Sequence, residues 1–106
     1  MAKFKLQPDP TFRRKVSIPI PGDAKAGEIE FVFRFRGRDD LSDFFKSVQL
    51  GEKDRIAAIL EMASGWDLAD EFNAANVALL DQTFIGSLEV ITEAYWQEHT
   101  KAIEKN

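Results

Sequence analysis

The strongest constraint in this sequence is a change of period. Before residue 38 apolar residues recur at every second position. Phe12, Val16, Ile18 and Ile20 share one side, interrupted by Arg14, with Arg13, Lys15 and Ser17 opposite. Ile29, Phe31, Phe33 and Phe35 repeat the pattern, with Glu28, Glu30, Arg34 and Arg36 opposite. Alternation rich in β-branched and aromatic residues predicts strands. Between the two runs lie Pro21, Gly22, Asp23 and Gly27, which are turn formers. The two runs therefore read as an antiparallel hairpin over residues 11–37. Pro19 cannot donate to a ladder and places the first strand at an edge.

After residue 38 the period becomes helical. Leu41, Phe44, Phe45 and Val48 stand at i, i+3, i+4 and i+7, and Ile56, Ile59, Leu60 and Ala63 repeat that spacing. Asp39 or Asp40 is expected to cap the first helix, and Gly51 to end it. Glu52 and Asp54 fall in the first turn of the second, and Gly65 stands as its C′ glycine. Asn73 reads as the N-cap of a short helix carrying Val77, Leu79 and Leu80. Ser87 reads as the N-cap of a last helix running from about Leu88 toward Ile103, with its tail from Lys101 to Asn106 fraying. A hairpin alone is barely stable in water, so its apolar face must be covered by these helices. The expected fold is α+β: an N-terminal antiparallel β-hairpin packed on a C-terminal bundle of about four short helices. Residues 1–106 read as one domain, with 1–10 an extended arm, 11–37 the hairpin and 38–106 the helical part.

Several function classes drop out. There is no cysteine and a single histidine, His99, so disulfides, thiolate metal sites and two-imidazole sites are excluded. No apolar run approaches the length of a membrane span. Met1-Ala2-Lys3-Phe4-Lys5 is not followed by a signal-peptide core, and the expected compartment is a reducing cytoplasm. P-loop, dinucleotide-binding, nucleophile-elbow and zinc-protease motifs are missing. No catalytic residue, metal ligand or cofactor is assigned. Asp67, Asp70 and Glu71 form an acidic run. A calcium loop begun at Asp67 puts Ala69, Phe72 and Ala78 at its third, sixth and twelfth positions, which does not fit. The run reads instead as a solvated acidic loop.

Charge is distributed unevenly. Residues 1–38 hold nine Lys/Arg and four Asp/Glu, a net of +5; residues 39–106 carry a net of −9. The total of −4 weighs against nucleic acid as the main partner. So does the pleat, which separates Arg13, Lys15, Arg34 and Arg36 from the hairpin aromatics, whereas RNA-binding sheets show both on one face. The basic face is better suited to an acidic protein neighbour, here the side holding Asp67, Asp70 and Glu71 of a second copy. Trp66, after the helix-ending Gly65, and Trp96, late in the last helix, are the aromatics placed to be partly exposed and to join an interface.

The ordering of these segments resembles the tail assembly chaperones of long-tailed bacteriophages and prophages. The resemblance is carried by the opening Met1–Phe12, by Val16-Ser17-Ile18-Pro19-Ile20-Pro21-Gly22 and by Phe31–Arg36 running into Arg38-Asp39-Asp40-Leu41. It continues through Ser64-Gly65-Trp66-Asp67, Phe72-Asn73 with Asn76–Leu80, and Ala94-Tyr95. The chain departs from the family at Phe84-Ile85-Gly86, where a Tyr-Pro-Gly-like corner is expected. The resemblance implies a non-enzymatic factor in the bacterial host cytoplasm. It would bind the tape measure protein and keep it soluble until tail tube subunits polymerise around it. It also implies tail tube protein as a second partner recruited through a longer, frameshifted form. A homo-oligomer is expected from the +5 and −9 parts of the chain, which suit head-to-tail contact between copies. Two other readings stay open: a minor structural or adaptor protein that remains in the particle, and a small nucleic-acid-binding regulator.

Overall fold

The computed structural model describes residues 4–104. Strands β1 (Thr11–Ile18) and β2 (Gly27–Arg34) are followed by helices α1 (Arg38–Gln49) and α2 (Arg55–Met62). A short strand β3 (Ala63–Trp66) comes next, then α3 (Ala74–Thr83) and α4 (Ser87–Glu104). The architecture is α+β, as the change of period predicts. The sheet is antiparallel in the order β1-β2-β3, so β1 is an edge strand.

The hairpin register pairs Val16 with Ile29 and Phe12 with Phe33. Val16, Ile18, Ile29, Phe31 and Phe33 are buried and meet Leu41, Phe44, Ile59, Val77, Leu88, Ile91 and Tyr95 from the helices in one core. Arg14, which interrupts the inner face, is half-buried. Its Nη1 donates to the carbonyl of Ala94 and to Glu98 Oε1, both at 3.1 Å, so the guanidinium ties the edge strand to α4.

Strand β3 stands where the sequence predicts the end of a helix. Ala63-Ser64-Gly65-Trp66 has no alternation, and Gly65 follows an amphipathic helix. Pairing with β2 makes it a strand: Phe31 stands opposite Trp66 and Val32 opposite Gly65, with a bulge between Val32 and Phe33. The sheet thereby gains its third strand, and α2 closes without a glycine at its C-terminus.

The helix termini follow the sequence in part. Gly51 has φ +74°, and the amides of Gly51 and Glu52 donate to the carbonyls of Val48 and Ser47, a Schellman closure of α1. The N-cap of α1 is Gly37, with no side-chain cap, so Asp39 and Asp40 lie in the first turn instead and act through the helix dipole. Asp54 caps α2, accepting from the amide of Ala57, and Glu52 precedes the helix. Asn73 caps α3, its side chain accepting from the amide of Asn76 at 2.9 Å. Asn73→Ala is expected to cost about 1 kcal/mol; a urea midpoint unchanged from the native protein would refute it. Ser87 does not cap α4. It is the first helical residue, buried, and its hydroxyl donates to the Leu80 carbonyl. Gly86, with φ +90°, precedes it, and its carbonyl accepts the Val90 amide. Of the three apolar residues named for α3, Val77 and Leu80 are buried and Leu79 is exposed, as the helix carries apolar residues on more than one side.

Helix α4 continues past Lys101 to Glu104, so the expected fraying does not begin at Lys101; residues 105–106 lie outside the described part. Of the expected arm, residues 1–3 lie outside it too, and residues 4–10 form no helix or strand.

Candidate protein interfaces

Helices α1, α2 and α4 enclose an apolar groove. Its floor is Phe45 and Val48 from α1, Ala58 from α2, and Leu88 and Thr92 from α4, and its volume is about 360 Å³. Arg55, Glu89 and Glu93 form a charged rim, and Trp96 closes one end. The Trp96 ring packs edge-on against Phe45 at 5.1 Å between centroids, yet the residue is 40% exposed. At the opposite end Arg55 reaches Glu89 at 2.9 Å and Asp81 at 3.1 Å, linking α2, α3 and α4. Such a lining offers apolar contact along the floor and, with Glu89 already paired to Arg55, attraction for a cation chiefly at Glu93. It suits an apolar stripe flanked by basic residues.

The other tryptophan is placed differently. Trp66 is half-buried between Phe31 and Phe72, and its Nε1 donates to the Asp70 carbonyl at 2.7 Å. The acidic run after it is built on backbone bonds. Asp67 and Glu30 exchange a reciprocal pair: the Asp67 amide donates to the Glu30 carbonyl, and Asp67 Oδ1 accepts the Glu30 amide at 2.9 Å. Asp67 therefore extends the β2–β3 ladder by one pair. The Glu71 carbonyl accepts from Asn76 Nδ2. Asp70 and Glu71 are exposed.

Arg13, Lys15 and Arg34 are exposed on the sheet face turned away from the helices. Glu30, opposite Lys15, and Glu28, opposite Ser17, share that face, so its basic character is concentrated toward the Thr11–Arg34 end. Arg36 does not belong to this face. β2 ends at Arg34, and the chain turns so that Phe35 becomes 44% exposed while Arg36 points inward. The Arg36 guanidinium lies 4.3 Å above the Phe44 ring. It donates to Tyr95 Oη (3.0 Å), Asp40 (3.0 Å) and the Glu61 carbonyl (3.2 Å). Tyr95 Oη in turn donates to the Arg34 carbonyl at 2.7 Å. Burial pushes the Tyr95 phenol above its ordinary pKa, against the opposing pull of Arg36.

His99 completes this network. Its Nδ1 lies 2.8 Å from the Tyr95 carbonyl and its Nε2 accepts the Arg36 amide at 3.1 Å, which assigns the proton to Nδ1. Nδ1 bonds within α4, and Nε2 ties that helix to the chain just after β2. On the same helix Glu98 is held below the ordinary carboxylate range, first by the hydrogen bond from Lys101 at 2.6 Å and also by Arg14.

Of the sequence candidates, then, the fold gathers Arg13, Lys15 and Arg34 on one face and Asp70 and Glu71 in one loop. It sets Trp96 on the groove and turns Arg36 and Trp66 inward. Glu89, Glu93, Arg55, Phe45 and Val48 line the groove with Trp96 without being interface candidates by sequence. The signal for part of the site lies in α4: Glu89, Glu93 and Trp96 follow at four and three residues, one helix face beside the core stripe.

A comparison with protein families matches residues 1–106 to the phage tail assembly chaperones. The chain belongs to that family. The match spans the hairpin, the acidic loop and all four helices, so the groove lies within the chaperone domain. No curated protein and no solved structure matches the chain. Among the described residues of this chaperone, no helix is long and apolar enough to cross a membrane, and no group of three His, Cys, Asp or Glu residues is placed to hold a metal ion.

Proposed function

We propose that this chain is a non-enzymatic chaperone of the host cytoplasm that binds the tape measure protein and keeps it soluble until tail tube subunits assemble around it. The observation that carries the reading is the apolar groove with its half-exposed Trp96, set in a chain that matches the chaperone family from end to end. A long helical client exposes apolar stripes that aggregate when bare. A groove floored by Phe45, Val48 and Leu88 can cover such a stripe, and Glu89 and Glu93 can meet its basic flanks. Coating a long client takes many copies of a small domain, and tube protein would be reached through a longer form of the same chain.

The test is co-expression with the long helical tail protein. A soluble complex is expected, with the client insoluble when expressed alone. Trp96→Ala is expected to lower recovery of the client at least about tenfold, as loss of an interface aromatic does, with the variant's thermal midpoint close to native. A client that is equally soluble alone and does not co-purify would overturn the reading.

A further inference from the structure

The residues just before β1 match the groove in chemistry. Phe4 and Leu6 are 89% and 93% exposed, with Ile85 the most open large apolar residues among those described. They flank Lys5, whose partner is Asp9 at 3.1 Å, an exposed pair of little energetic weight. The arm lies against its own hairpin end, where Phe4, Lys5, Pro8, Asp9 and Thr11 line an open hollow with Phe12 and Phe35. Leu6 is outside that lining, and Phe4, at its edge, still leaves most of its ring in solvent. An extended segment with two apolar side chains around a lysine complements an apolar groove whose rim carries Glu93 and Glu89, the latter in an exposed pair with Arg55 that a lysine can compete for.

We propose that the groove of one chain takes the Phe4-Lys5-Leu6 arm of a second copy, with the phenylalanine and leucine against Phe45 and Trp96 and the lysine between Glu89 and Glu93. The proposal rests on reading the groove as a site for apolar, basic-flanked segments, and it adds a regulator of that site. With client scarce, the arm of a neighbour covers the groove and shields Trp96 from water. A client segment of the same chemistry displaces it. The contact joins one surface to a different one, so it propagates from copy to copy, and arms and grooves need not be matched within one pair.

The chain has no cysteine, which makes disulfide trapping clean. Two full-length variants, Gln7→Cys and Thr92→Cys, are mixed and oxidised. A Gln7–Thr92 linked heterodimer is expected, at least about tenfold more abundant than in a mixture of Gln7→Cys with Lys25→Cys, a control in the hairpin loop. Adding Phe4→Ser and Leu6→Ser to the arm-bearing chain is expected to remove the excess, and in sedimentation to shift the protein toward its 12.0 kDa monomer mass. A heterodimer yield equal to the control overturns the proposal. So does a Gln7→Cys/Thr92→Cys double variant that closes within one monomer, which would show the arm in its own groove. The function reading is scored separately, by client recovery with the Phe4→Ser/Leu6→Ser protein. Recovery without an arm cross-link removes only the arm contact, while a cross-link without client recovery removes only the client.

Discussion

Replacing Tyr95 with alanine is expected to cost about 3–5 kcal/mol, the range for large aromatic truncations in a core. Domains of this size hold about 5–15 kcal/mol in total, so the variant should be close to unfolding at room temperature. Tyr95 is fully buried, with its ring 5.1 Å from Phe33, 6.1 Å from Phe44 and 4.6 Å from His99. The truncation opens a void at the junction of sheet, α1 and α4. It also strips the Arg34 carbonyl and the Arg36 Nε of their shared hydroxyl. Tyr95→Phe separates the two effects, keeping the ring and losing about 1–3 kcal/mol for the unmatched polar groups. The raised phenol pKa adds a pH signature. A folded value above the unfolded one gives stability that is complete below the ordinary tyrosine pKa of 10.0 and is lost as pH rises through the folded value. Above pH 10 the native protein should therefore lose stability faster than Tyr95→Phe. Urea unfolding followed by tryptophan fluorescence reads all three proteins, and a Tyr95→Ala loss below about 1 kcal/mol would contradict the account.

Arg36→Ala is expected to cost about 2–4 kcal/mol, more than is usual for an arginine outside an active site. Most surface arginines contribute little because their partners are solvated. Arg36 is different: its side chain is only 16% exposed, its guanidinium sits over Phe44, and two of its partners are Tyr95 Oη and the Glu61 carbonyl. Charge-assisted hydrogen bonds and a partly desolvated cation–π contact make up the sum. The pair with Asp40, an exposed carboxylate, adds little to it. Arg36→Lys keeps the charge but cannot fork toward three acceptors, so it should recover less than half of the loss. Full recovery by lysine would show that charge alone matters at this position.

Arg36 also shows where the sequence stops being informative. The alternation from Ile29 continues unbroken through Phe35 and Arg36, and the natural extension of it puts Phe35 inside and Arg36 outside. The Phe35 amide still bonds to the Pro10 carbonyl, the next rung of the β1–β2 register, but Pro10 has no N–H to return it; the strand ends at Arg34 and both side chains change sides. Periodicity reports what a residue does while the ladder lasts, and here the ladder ends at a proline just before β1. The hairpin and four helices were legible because their apolar positions repeat at one period over several turns or pairs. β3 was not, because its four residues carry no pattern and its state is imposed by β2. Trp96 was legible as an exposed aromatic. The groove around it was not, because it draws on three helices whose mutual placement no local pattern encodes.

Synthesis order gives the fold a further consequence. The hairpin, residues 11–34, leaves the ribosome before α4, yet Phe33 is sealed by Tyr95 on the last helix. At about 5–20 residues per second, roughly 3–12 s separate the two. During that interval the nascent protein carries an uncovered aromatic sheet with an open edge at β1, the same kind of hazard a chaperone exists to relieve. Messages truncated before α4 should therefore yield inclusion bodies rather than smaller soluble proteins.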